Sequence, residues 1–416
     1  MKSTRISDYV DGKRLWSDLM ELATFGGNPR GGVNRSALSP EEIGARAALV
    51  GWGRECGVEA SVDLAGNLFL KLAGREPALP SVLLGSHIDT QPTGGKFDGA
   101  YGVVAGLAIL RAIVVAGARP RRSIEVVAWM NEEGSRFAPG MMGSAAFTGK
   151  RNLEEIISVR DKAGVSVGDA LDAVLAAEAA LPRRPLGFPV AGYFEAHIEQ
   201  GPRLEADGKT IGIVTGIGGK RTFRVEVKGQ PAHAGTSKRR DRRDALVSAV
   251  AIVDALQKAM WDSADTVQFT VGMFVVEPNA PSVVPARVFF SIDLRHDDDG
   301  VVCSLGDNVK PVCEAARGKC DVTVTELLYD PPLQFPEQMR DRVRSAAAQL
   351  SYSYMDLPSP AGHDSRYLHY YTPTGMIFIP CKEGISHSEE ESITAADAEA
   401  GTRVLADVAF EYAERA

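Results

Sequence analysis

No stretch of this chain approaches the roughly 18 consecutive apolar residues of a membrane-crossing helix, so a transmembrane anchor is not expected. Cysteine is scarce: Cys56, Cys303, Cys313, Cys320 and Cys381 are odd in number and form no C-x-x-C pair. That excludes a disulfide scaffold and fits reduced thiols in a cytoplasmic protein. Positive charge is not in excess. The net charge of −8 argues against nucleic acid or an anionic membrane surface as partner. The one basic run, Lys238–Asp244 (KRRDRRD), is broken by acids and reads as the solvated start of a helix. The first residues, MKSTRISDYVDGKRLW, hold no apolar core and are not expected to be a signal peptide. G-x-S-x-G, the P-loop spacing and H-E-x-x-H are all missing, which removes three common routes to hydrolase or nucleotide chemistry.

What is present is an α/β pattern. Residues 79–87 and 121–134 read as buried strands, and the nearly all-apolar segment 100–116 as a buried helix between them. Ser39 and Glu42 match a capping box at the head of an earlier helix. Residues 217–330 change character to β-α-β-β-α-β, the ferredoxin-like order, and are expected as a domain inserted between 1–216 and 331–416.

Only seven histidines occur, and four lie in polar, mostly glycine-flanked settings near expected strand ends: His87, His197, His363 and His387. In open α/β sheets ligands bind at the carboxyl ends of strands. A two-metal hydrolytic site needs neutral imidazoles and carboxylates, one of them shared between the ions. His87, Asp98, Glu132, Glu133, His197 and His387 supply those types, and Asp89 is placed to accept the second ring N–H of His87.

GSHIDTQPTGGKFDGAYGVVAGL, NEEGSRF, EAHIEQGPRLE, GQPAHAGT, AGHDS and MIFIPCKEGISHSEEE, in this order, resemble the amidase/hydantoinase/carbamoylase branch of the dinuclear-metal aminoacylase and carboxypeptidase clan. The resemblance covers nearly the whole chain. It implies a di-metal aminopeptidase-like catalytic domain with the ferredoxin-like insert as a lid and dimerisation domain. It implies two divalent ions per subunit (zinc, or manganese, cobalt or nickel), one held by His87, Asp98 and His197, the other by Asp98, Glu133 and His387. Glu132 becomes the general base toward water. His233 becomes the oxyanion donor reaching across a homodimer, although a turn histidine would also fit the residues around it. Arg295 becomes the clamp for a substrate carboxylate, with an ion pair to Asp297 or Asp298 as its structural alternative. Gln200, Ser282 and His363 are expected in the substrate pocket, Ser282 standing where the branch commonly has asparagine. The implied substrate is a small N-carbamoyl-type molecule, foremost an N-carbamoyl-L-amino acid. Allantoate, ureidoglycine-type and β-ureidopropionate substrates are alternatives; aminoacylase or dipeptidase activity, or a silent binding protein, stands further off.

Overall fold

The protein is described by a computed structural model covering residues 5–415; residues 1–4, where the N-terminal reading began, and residue 416 lie outside it. The described residues form two compact units. One runs to Thr215 and takes up Phe335–Leu357 and residues 362–416; the other comprises Gly216–Gln334 and Pro358–Ala361.

The first unit is built on a large sheet whose central strands run in the order Thr374–Ile379, Val190–Ile198, Ser81–His87 and Ile124–Trp129. These four are mutually parallel. Ser81–His87 and Ile124–Trp129 are buried at every position, as strands covered on both faces must be. Their apolar runs, rather than any alternation, are therefore the signal in the sequence. The helix Ala100–Val115 follows the first of them and is buried on almost all sides, and Ala395–Arg415 packs into the same core. Register brings Leu84 opposite Phe194, so three residues further on His87 and His197 leave neighbouring strands side by side.

The capping box at Ser39 forms only in part. The Ser39 hydroxyl accepts the Glu42 N–H, but Glu42 reaches back to the N–H of Leu38, one residue earlier than the motif requires. The strand expected over 121–134 ends at Trp129, because Met130–Gly134 turn to fold back on Gly140–Gly143.

The second unit holds an antiparallel sheet in the order Gln268–Thr270, Arg287–His296, Gly219–Lys228, Asp321–Asp330, with Phe274–Glu277 also paired to Arg287–His296. Helices Ala245–Met260 and Asp299–Ala316 share one core with it, through Ile252, Leu256, Val225, Phe290 and Val309. The run TVQFTVGMFVV is thus two short strands, interrupted around residues 271–273. Among the described residues no helix is long and apolar enough to cross a membrane.

Candidate metal centre

The carboxyl ends of the parallel strands carry the polar residues. His87 ends one strand, His197 is the penultimate residue of the next, and Glu132–Glu133 sit on the turn after a third. Asp98 precedes the buried helix on a loop held close by Gly99. A β-carbon at Gly99 would lie 2.4 Å from the His87 ring, so only glycine admits the approach.

Asp98 is the centre of the arrangement. Its Oδ1 lies 3.1 Å from Nε2 of His197 and 3.7 Å from Nε2 of His87. Its Oδ2 lies 3.2 Å from Nε2 of His387, which is itself 3.4 Å from Oε2 of Glu133. Each trio, His87–Asp98–His197 and Asp98–Glu133–His387, has one ligand atom per residue within 4.8 Å of the others. Oε2 of Glu132 stands 3.6 Å from Nε2 of His87.

The donor chemistry fits divalent cations. Nδ1 of His87 meets the carbonyl oxygen of Asp89 at 2.9 Å, and Nδ1 of His197 meets that of Ile198 at 2.9 Å. A carbonyl only accepts, so both Nδ1 atoms carry a proton, and the neutral form of each ring, the form that binds a cation, turns its Nε2 lone pair inward. The Gly99 nitrogen also approaches Nε2 of His197, at 3.2 Å. Lone pairs and carboxylate oxygens facing one another repel unless a cation joins them, and imidazole with carboxylate is a donor set suited to zinc-like ions.

The same crowding shows in proton affinities. Burial pushes His87 down to about 4. Burial also opposes protonation of His197, but the hydrogen bond to Asp98 lifts it to about 9; His387, half-exposed, is lifted to about 9 by its bond to Asp98. Burial pushes Glu133 up to about 7, and burial with the neighbouring Asp364 and Glu133 carboxylates raises Glu132 well above the usual range. A carboxyl so perturbed in a polar cleft is suited to proton transfer.

The expected partner of the His87 ring needs one correction. The ring N–H goes to the main-chain carbonyl of Asp89, and its carboxylate stands off at 3.6 Å. That carboxylate is engaged instead with the N–H groups of Glu132 (3.1 Å) and Glu133 (3.2 Å). Gln200 does not stand free for substrate either: its Nε2 donates to Oδ2 of Asp98 at 2.8 Å, while its buried Oε1 makes no hydrogen bond. His363 is buried, edge-on to the His197 ring at 4.5 Å.

In the second unit His233 is exposed on a two-residue strand paired with Val283–Val284, which sets it next to Ser282. Its Nδ1 accepts two backbone N–H groups, from Gly235 (3.0 Å) and Thr236 (3.2 Å). Both only donate, so the ring proton sits on Nε2 and that edge is a hydrogen-bond donor. Arg295 is gripped through Nε and Nη2 by Asp293, and its Nη1 donates to the Pro360 carbonyl. Its guanidinium is thus ion-paired to Asp293, two residues back on the same strand face. The Nη1/Nη2 edge keeps hydrogens to donate.

Residues 83–411 match the model of peptidase family M20/M25/M40. The N-carbamoyl-L-amino-acid amidohydrolase of Rhizobium meliloti is 36% identical over 411 residues, covering 97% of both chains. The allantoate amidohydrolase of Bacillus subtilis is 32% identical, over 98% of this chain and 97% of its own. A crystal structure of an amidase of the hydantoinase/carbamoylase family from Burkholderia multivorans superposes with a TM-score of 0.88 at 42% identity, covering 98% of both chains. The chain belongs to peptidase family M20/M25/M40.

In this M20/M25/M40 chain several supports of the site were not singled out from sequence. Gln91 donates to both oxygens of Glu133, from its backbone and from its side-chain amide. Glu391 accepts the N–H groups of Phe97 and Asp98 through one oxygen. Glu195 lies close to His197 and His363, but its oxygens are already taken by the Ser86 hydroxyl and by the N–H and hydroxyl of Ser365. It braces two strands and a turn. Glu391 stood in the SEEE run beside His387; Gln91 and Glu195 carried no local signal.

Proposed function

We propose that this chain is a metal-dependent N-carbamoyl-L-amino-acid amidohydrolase. One water hydrolyses the ureido C–N bond of the substrate, giving the free amino acid, CO2 and ammonia. The observation that carries the reading is Asp98, with one carboxylate oxygen toward His87 and His197 and the other toward His387 and Glu133. Those residues would hold two divalent ions, zinc or else manganese, cobalt or nickel. When bound, such ions supply Lewis-acid polarisation and lower the pKa of water.

The chain's own residues divide the remaining work. Glu132, raised and adjacent to His87, takes the proton from water and passes it to the leaving nitrogen. Arg295 offers its end-on edge to the substrate carboxylate, Asp293 fixing the plane of the guanidinium. His233, with its proton on Nε2, supplies a donor to the developing oxyanion from the neighbouring subunit of a homodimer. Gly216–Gln334 serves as lid and dimerisation domain, Ser282 and His363 act as substrate-binding residues, and the Gln200 Oε1 accepts from the ureido nitrogen. The five free cysteines suit a reducing cytoplasm.

Ammonia release from a panel of N-carbamoyl-L-amino acids, allantoate, N-carbamoyl-β-alanine and dipeptides, with metal restored after chelation, tests the reading. N-carbamoyl-L-amino acids should give the highest kcat/KM. Preference for allantoate or for dipeptides would displace it.

A further inference from the structure

Arg35 and Arg46 are the largest charged side chains fully buried in the described structure. Arg46 has a clear reason to be there, a two-pronged ion pair with Glu178 at 2.6 and 2.8 Å. Arg35 has none: among the described residues it makes no direct ion pair. Its Nε donates to the Ile88 carbonyl (2.7 Å), its Nη1 to the carbonyls of Leu22 and Phe25 (2.8 and 2.9 Å), and its Nη2 to nothing. Burying a guanidinium without a carboxylate partner costs free energy that an apolar side chain would avoid. Burial lowers its pKa to about 10, which leaves it charged at neutral pH, with Glu42 and Asp89 as the attracting acids.

The contacts of Arg35 bracket one residue. Its side chain holds the carbonyl of Ile88. Its backbone N–H donates to the Thr90 hydroxyl (2.9 Å), and its own carbonyl accepts the Thr90 N–H (2.8 Å). Between Ile88 and Thr90 stands Asp89. The Asp89 carbonyl orients the His87 ring, and its two carboxylate oxygens hold the N–H groups of Glu132 and Glu133. One residue thus ties a ligand of the first trio to a ligand of the second and to the base.

We propose that Arg35 is a positioning residue for both halves of the metal centre: by gripping Ile88 and Thr90 it fixes Asp89, and through Asp89 the His87 ring and the Glu132–Glu133 turn. The proposal rests on the reading of the two trios as metal sites. Lysine can keep the charge at this position, but one ammonium cannot span the carbonyls of Ile88, Leu22 and Phe25 in a plane.

The test is zinc affinity of the chelated full-length protein, by competition with a chromogenic chelator, alongside thermal unfolding of the metal-free form. Outer partners of metal ligands typically change affinity by about 10–100-fold. Arg35→Lys and Arg35→Met should weaken zinc binding by about tenfold or more. Thr90→Val, which leaves the guanidinium in place but removes the hydroxyl that accepts the Arg35 N–H and donates toward the Val33 and Gln91 carbonyls, should weaken it less, in the same direction. Arg46→Lys is the control: it should lower the unfolding temperature yet bind zinc as the wild type does. If Arg35→Met does not fold, Arg35→Lys and Thr90→Val decide. Wild-type zinc affinity in those variants, or an equal loss in Arg46→Lys, overturns the role of Arg35. A wild-type protein that binds none of zinc, manganese, cobalt and nickel overturns the metal reading itself, and the proposal with it.

Discussion

Nε2 of His387 lies 3.2 Å from Oδ2 of Asp98, the oxygen that the other two histidines do not face. His387 comes 289 residues after Asp98 in the chain and reaches it from the loop beyond the Thr374–Ile379 strand. Asp98 thereby faces both proposed ligand sets, and its replacement should affect both. Asp98→Ala should bind neither ion with useful affinity, measured as metal content after dialysis. Retention of two equivalents would show that the sets do not depend on it.

Glu132→Gln separates ion binding from proton transfer. The variant should keep its metal content and lose turnover by about 10²–10⁴-fold, the range for loss of a general base. Metal analysis and kcat on the same preparation check this. Near-normal turnover would remove Glu132 from the base role.

These two residues show what was legible in the chain. The strand ends, the polar clusters after them and the adjacent Glu132–Glu133 are local features, and local patterning carries them. The supports were not legible, because their partners are remote. Glu391 bonds to the N–H of Phe97, 294 residues away, and Glu195 to Ser86, 109 away. The polar partner of His87 was legible as a residue but not as an atom, since either the carbonyl or the carboxylate of Asp89 could have served. The break in TVQFTVGMFVV was hidden for a related reason: apolar alternation continues through it, and only pairing with Arg287–His296 reveals two strands.

Arg295→Lys retains charge and loses the planar fork. We expect a large fall in kcat/KM on substrates with a carboxylate and little change on neutral amide analogues. Because Asp293 already holds Nε and Nη2, lysine at this position also releases Asp293 to Lys220, which stands 3.1 Å away. Equal losses on both substrate types would mark a structural ion pair.

The proton affinities predict how the metal-free protein responds to pH. His197 and His387 are raised to about 9 from an ordinary 6.5, so their stabilisation is complete below pH 6.5 and vanishes as pH passes 9. Glu133 at about 7 and Glu391 at about 8, raised by burial, add the same sign: the folded state holds protons that the unfolded chain has released. His87, lowered to about 4, acts oppositely, but only below pH 6.5. The Tm of chelated protein should therefore fall between pH 6.5 and 9, and saturating zinc should remove the trend. A rising Tm over that window would contradict the assignment.

Mixed dimers test the role of His233. His233→Ala and Glu132→Gln homodimers should each be nearly inactive. Co-expressed mixtures should recover up to about a quarter of wild-type activity, because roughly half the dimers are mixed and each mixed dimer has one intact site. Purified mixed dimers as inactive as their parents would place His233 outside the neighbouring site.

The most direct measurement is a metal titration of the chelated wild-type protein, reading ammonia released from an N-carbamoyl-L-amino acid against equivalents of zinc or manganese. A centre built around Asp98 predicts negligible release without metal, and full activity as two equivalents per chain are bound. Undiminished ammonia release from protein shown to be metal-free, or saturation at one equivalent with no second ion bound, would contradict it.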